Sequence, residues 1–162
     1  MIDLVHSQSR RVAYDLVEPL SRFLSIAREL CDGDLDQVVL MIALTLRSSL
    51  HPDFRALEEA ELEALGVLPG FGTNMRSLAD STGIPRETAR RKLALLIERG
   101  WITWHRGALH YTASGYRSVE PARVAMIRMN VRGFQVVDAL QARVSSDNRA
   151  RRAPRVSGPA SA

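Results

Sequence analysis

The stretch Asn74–Thr112 constrains this chain more than any other, and within it residues 77–102 read SLADSTGIPRETARRKLALLIERGWI. Met75–Ser81 suits a short helix with Asn74 as N-cap, its side chain accepting from an otherwise unbonded backbone N–H. Leu78 and Ala79 would face inward, and the small Ala79 lets a second helix cross closely. Gly83 ends the segment where a positive φ costs little. Ile84 plugs the corner, and Pro85 suits the first position of the next helix, where its missing N–H is not needed.

That next helix, Pro85–Arg99, divides into two faces. Ala89, Leu93, Leu96 and Ile97 keep the i, i+4, i+7, i+8 spacing of a buried stripe. Arg86, Glu87, Arg90 and Arg91 project elsewhere near its N-terminal end, and Gly100 stops it. Two helices joined by a tight glycine turn, the second polar at its start, form the geometry that lays a helix in the DNA major groove. Trp101–Trp104 and Ala108–Thr112 are β-prone, with Arg106-Gly107 as turn chemistry between them, so a hairpin should follow directly.

With these features the segment resembles the winged helix-turn-helix transcription regulators of bacteria. The spacing Leu78-Ala79, Gly83-Ile84, Arg86-Glu87-Thr88-Ala89 and Leu96-x-x-x-Gly100-Trp101-Ile102 is similar to the Crp, GntR and MarR groups over about a quarter of the chain. Lys92 stands where those groups usually carry Ile, Val or Leu. The resemblance implies base contacts at Arg86, Glu87 and Arg91. Arg90 joins them because arginine can bind guanine O6 and N7 bidentately. Asn74, Arg76, Lys92 and, at the hairpin tip, Arg106 are expected on the DNA backbone. Glu87 has a plainer use in an i,i+4 pair with Arg91. Trp101 and Trp104 are expected to anchor the hairpin to the core.

The rest of the chain supports a mainly α fold: N-terminal helices, the winged unit, then a long C-terminal helix. Residues 1–8 are expected to be flexible and 9–66 a helical region. Within that region Val12, Leu16, Leu20, Phe23, Ala27 and Leu30 keep helical spacing, and Pro19 predicts a kink or two abutting helices. Leu35–Ser48 is apolar nearly all round, which implies a central helix buried by the fold or by a second subunit. Asp53 can cap an acidic helix reaching Leu65. Residues 67–115 form the expected DNA-binding domain, with Ser114-Gly115 as its closing turn. Residues 116–144 carry the last helix, whose stripe of Met126, Met129, Gly133, Val137 and Leu140 is expected to dimerise. Residues 145–162 are expected to form a disordered basic tail.

The net charge of +4 is less informative than its placement. From Ser145 onward four arginines against Asp147 give +3, leaving +1 for everything before. Residues 85–99 hold four Arg and one Lys against two Glu, a local +3. The single cysteine, Cys31, excludes an internal disulfide or a Cys-rich zinc site. His105 and His110 flank the hairpin turn without a carboxylate or Cys at ligand spacing, so no metal or other cofactor is expected. No Ser-His-Asp order, phosphate loop or HExxH is present, and catalytic residues are not expected.

The opening residues lack the order of a secretory signal. Val38–Leu46 falls far short of the ~20 residues of a membrane span, so a cytoplasmic chain is expected. The leading expectation is a homodimeric, sequence-specific regulator of double-stranded DNA. The alternative is a winged helix that docks protein. The flanking helices have room for a small-molecule effector, but no residue in them selects one.

Overall fold

The computed structural model describes residues 2–152. Among them the chain is mainly helical with one two-stranded antiparallel sheet. Two compact units are formed, one by residues 2–21 and 126–152, the other by Arg22–Ala125. Two helices, α2 (Ser9–Leu30) and α9 (Glu120–Arg152), contribute to both.

The larger unit is built on α3 (Leu35–Ser49), α6 (Met75–Thr82) and α7 (Arg86–Glu98), which pack on one another. Their shared core includes Leu40, Leu44, Leu78, Ala89, Leu93 and Leu96, closed by Ile102, Leu109 and Tyr111 from the sheet. α3 starts where Asp34 accepts bonds from the N–H groups of Asp36 (3.1 Å) and Gln37 (3.2 Å). Asn74 caps α6 by accepting from Ser77 N–H at 2.8 Å. Gly83 takes φ +73 as the left-handed residue after α6.

The end of α7 is a Schellman motif: Trp101 N–H bonds Leu96 C=O and Gly100 N–H bonds Ile97 C=O, with Gly100 at φ +70. This satisfies the last carbonyls and turns the chain at once into β1 (Ile102–His105). β1 pairs with β2 (Ala108–Tyr111) in the register Ile102 to Tyr111 and His105 to Ala108. The two turn residues, Arg106 and Gly107, both have positive φ, the conformation that matches the twist of a two-residue hairpin. Single bridges from Val67 to Thr112 and from Thr73 to Leu109 tie the preceding loop to the hairpin.

Several expectations are corrected here. Residues 2–7 form a helix, α1, rather than a flexible lead; Leu4 and Val5 pack against Val12, Val136 and Leu140. Of the two arrangements expected at Pro19, two abutting helices are ruled out, since α2 runs through it as one helix. The acidic segment is two short helices, α4 (Pro52–Ala56) and α5 (Glu59–Ala64). The second restarts where Glu61 accepts the Glu58 N–H at 2.8 Å. Ser114-Gly115 is no turn but lies inside α8 (Ala113–Ser118), because Thr112 caps it by accepting from Gly115 N–H at 2.9 Å. The tail expected to be disordered from Ser145 is helical to Arg152, consistent with the good helix propensity of Ala and Arg. The remainder of that expectation, residues 153–162, lies outside the described residues. Among the described residues, no helix is long and apolar enough to cross a membrane.

Candidate nucleic-acid interface

The N-terminal half of α7 is held by what lies behind it. Ala89, Leu93 and Leu96 are fully buried, which leaves Arg86, Glu87, Arg90 and Arg91 exposed on one side. Arg90 grips Glu87 through two nitrogens, Nη2 to Oε1 at 2.6 Å and Nε to Oε2 at 3.0 Å. This i,i+3 pair replaces the i,i+4 pair expected between Glu87 and Arg91. The hydrogen bond from Arg90 holds the Glu87 carboxyl below its ordinary pKa, and the guanidinium is raised in turn. Being fully exposed, the pair orders the two side chains more than it stabilises the fold. Arg91 is exposed, and its charge adds to the pull of Arg90 on the Glu87 carboxyl.

Asp80 at the end of α6 sits between two more arginines. Arg86 reaches it at 3.4 Å and Arg76 at 3.8 Å. Arg76, Arg86, Arg90 and Arg91 thus face solvent with Asp80 and Glu87 interleaved, a net of +2 across the surface of α6 and the start of α7.

Two further cations, Lys92 of α7 and Arg99 at its C-cap, are turned away from this surface. Lys92, with a side chain only 19 % exposed, bonds Asp34 at the cap of α3. Arg99 bonds Asp32 and donates to the Leu30 carbonyl at 3.2 Å. The assignment of Lys92 to the DNA backbone is therefore corrected: an ammonium held by a half-buried carboxylate is not offered to phosphate. The position of Lys92 on α7 faces the start of α3, which gives the lysine its partner. Burial alone would raise the Asp34 carboxyl. Hydrogen bonds from Lys92 and Gln37 outweigh it and hold the group below the ordinary carboxylate range.

Asn74 is occupied as a helix cap, so only its remaining amide donors are available to phosphate. Arg106 is exposed at the hairpin tip. Trp101 packs against the core, as expected. Trp104 does not: it shares a face of β1 with the buried Ile102 and lies opposite the buried Leu109, yet it is 45 % exposed and stands outside the core cluster. Beneath the hairpin His105 and His110 meet edge to face at 5.7 Å. Burial, then the nearby His105 and His51, pushes the His110 pKa down. Cys31 is buried, and that burial raises its thiol pKa. Among the described residues no group of His, Cys, Asp or Glu is arranged to hold a metal ion.

No family model, curated protein or solved structure matches this chain. What the surface can bind must follow from its own side chains.

The stripe expected to dimerise is split by the structure. Leu140 is buried within its own chain together with Val136, against Val12, Leu4, Val5 and Leu16. It is thereby removed from the set. Met129, Gly133 and Val137 line a shallow groove with Leu16 and Phe134, and Met126 is exposed. The two bridges from Val67 and Thr73 were missed in the sequence; Val67-Leu68 and Thr73 are β-prone but separated by Pro69, Gly70 and Gly72, which mask a strand pattern.

Proposed function

We propose that this chain is a sequence-specific transcription regulator that binds double-stranded DNA, as a homodimer, through a winged helix-turn-helix in which α7 enters the major groove. The observation that carries this reading is the exposed start of α7, where Arg86, Glu87, Arg90 and Arg91 stand together over a fully buried apolar face. Such a helix can slide into a groove about 12 Å wide without uncovering any core. The order of α6, Gly83, α7 and hairpin supports it, as does Arg106 at the tip of a hairpin braced by the 67–73 loop.

Each side chain has a chemical role in this reading. Arg91, exposed and outside the Glu87–Arg90 hydrogen bonds, is the strongest candidate for a bidentate contact to guanine. Glu87 accepts from cytosine N4, and its pairing with Arg90 holds both in register before DNA arrives. Arg76 and Arg106 contact phosphates, which position the protein without reading sequence. Two copies would read half-sites about one helical turn, ~34 Å, apart.

Selection of bound sequences from a random duplex pool at two salt concentrations tests the reading. A two-fold motif with one-turn spacing is the expected result. Arg91→Ala should then weaken binding by about 1–3 kcal/mol and relax preference at one base pair per half-site. Equal weakening on every sequence would make Arg91 a phosphate contact instead. Absence of binding even at low salt would sink the DNA reading and leave the surface to an acidic protein partner.

A further inference from the structure

α3 has a face that the fold leaves uncovered. Gln37, Val38, Leu40, Met41, Leu44 and Ser48 are buried by the rest of the unit. On the opposite side Leu35, Val39, Ile42 and Leu46 are 51 %, 41 %, 42 % and 59 % exposed. Their spacing of four, three and four residues draws one continuous apolar stripe along the helix. No charged side chain interrupts it. A helix carrying leucine and isoleucine on its solvent side is unusual for a chain that buries its other face so completely.

We propose that this stripe is where two copies of the chain associate, α3 against α3, antiparallel about a two-fold axis. The four-three-four spacing reads the same in both directions, so one antiparallel register satisfies every position. Leu35 of one copy then lies opposite Leu46 of the other, and Val39 opposite Ile42, with the axis passing between these last two. Such self-complementarity is what an isologous contact requires.

The charges agree with this register and give the parallel one no ion pair. Asp36 and Arg47 lie eleven residues apart on the same flank of the stripe, one at each end, and neither side chain has an ion-pair partner among the described residues. In the antiparallel arrangement Asp36 of each copy comes beside Arg47 of the other, twice. A parallel two-fold pair would put the two copies of each on opposite flanks of the seam, where neither meets an opposite charge of the partner helix.

The inference rests on the homodimer of the preceding reading and names its surface. Because α3 packs directly on α6 and α7, the contact would join the two DNA-facing surfaces through a rigid core. The exposed apolar residues of α9, among them Phe134, are the competing surface for the same role.

Sedimentation velocity on the full chain, without DNA, over a wide concentration range tests it separately from DNA binding. The wild-type chain should move from monomer to dimer as concentration rises. Ile42→Glu, which places two like charges near the axis, should raise the dimer dissociation constant at least about tenfold. Its far-UV spectrum and melting should stay those of a folded chain, since Ile42 is half exposed. Phe134→Glu should leave the dissociation constant within about twofold of wild type. Asp36→Arg and Arg47→Asp should each weaken the dimer several-fold, and the double reversal should restore it. A chain that stays monomeric throughout overturns the proposal and leaves the stripe to a different protein. So does a dimer that ignores Ile42→Glu, or one that Phe134→Glu dissociates, and so does a double reversal no better than its singles. None of these outcomes depends on whether the monomer binds DNA.

Discussion

A methyl group added at Gly115 would lie 2.8 Å from the Cα of Trp101 and closer still to its carbonyl oxygen. These are backbone atoms, held by the Thr112 hydroxyl, which bonds the Gly100 and Trp101 carbonyls at 2.6 and 3.0 Å. They cannot swing aside as a flexible side chain can. Gly115→Ala should therefore destabilise the fold by about 1–3 kcal/mol, the usual cost of overpacking, read from the urea midpoint at constant slope. Gly133 supplies the contrast, because beyond its own turn of helix nothing lies within 4 Å of its added Cβ and its place is inside α9. Gly133→Ala should stabilise the chain by about 0.5–1 kcal/mol. Both glycines look alike in the sequence. A glycine that breaks a helix and one that admits a neighbouring backbone leave the same letter, which is why Ser114-Gly115 reads as a turn. Gly83 and Gly100 were legible because each follows an apolar period that ends there.

Elements were easier to read than their joints. The buried stripe of α7, its glycine stop and the Asn74 cap are local patterns, fixed by spacing within a few residues, and they stand where the sequence places them. The tie between α7 and the start of α3 is a pairing of Lys92 with Asp34, far apart in the chain, and no local pattern carries it. Its energetics can be tested by acid. The folded-state carboxyl of Asp34 lies below its unfolded value of about 3.9. Such a group contributes stability that is complete above about pH 4 and drains as pH falls through the lowered folded-state value. Lys92→Met removes the ammonium and keeps the stem. It should cost about 1.5–3 kcal/mol at neutral pH and flatten the acid limb of the stability profile below pH ~4. Equilibrium unfolding at a series of pH values measures both. An unchanged acid limb would mean that the Gln37 contacts alone set the Asp34 carboxyl.

Across the whole molecule, charge counted along the sequence differs from charge presented to a partner. Residues 85–99 sum to +3, yet Lys92 and Arg99 are spent on Asp34 and Asp32. The cations left on the surface proposed to meet DNA are Arg76, Arg86, Arg90 and Arg91, with Arg106 on the hairpin. Two of these share Asp80, so a phosphate that binds Arg76 or Arg86 must compete with a carboxylate already in place. Exposed pairs of this kind are worth only about 0–1 kcal/mol, small enough for phosphate to displace them but large enough to suppress indiscriminate binding. Asp80→Asn lifts that competition. It should tighten binding to any duplex and steepen the fall of log K with log salt by up to about 0.9 for each further phosphate the freed arginines neutralise. The ratio of specific to random-sequence affinity should fall at the same time, because phosphate binding carries no sequence information. Fluorescence anisotropy against a selected site and a scrambled duplex, each at several salt concentrations, reads all three quantities. If Asp80→Asn left slope and ratio unchanged, Arg76 and Arg86 would lie outside the DNA footprint. The interface would then contract to the Glu87–Arg91 turn and the hairpin tip.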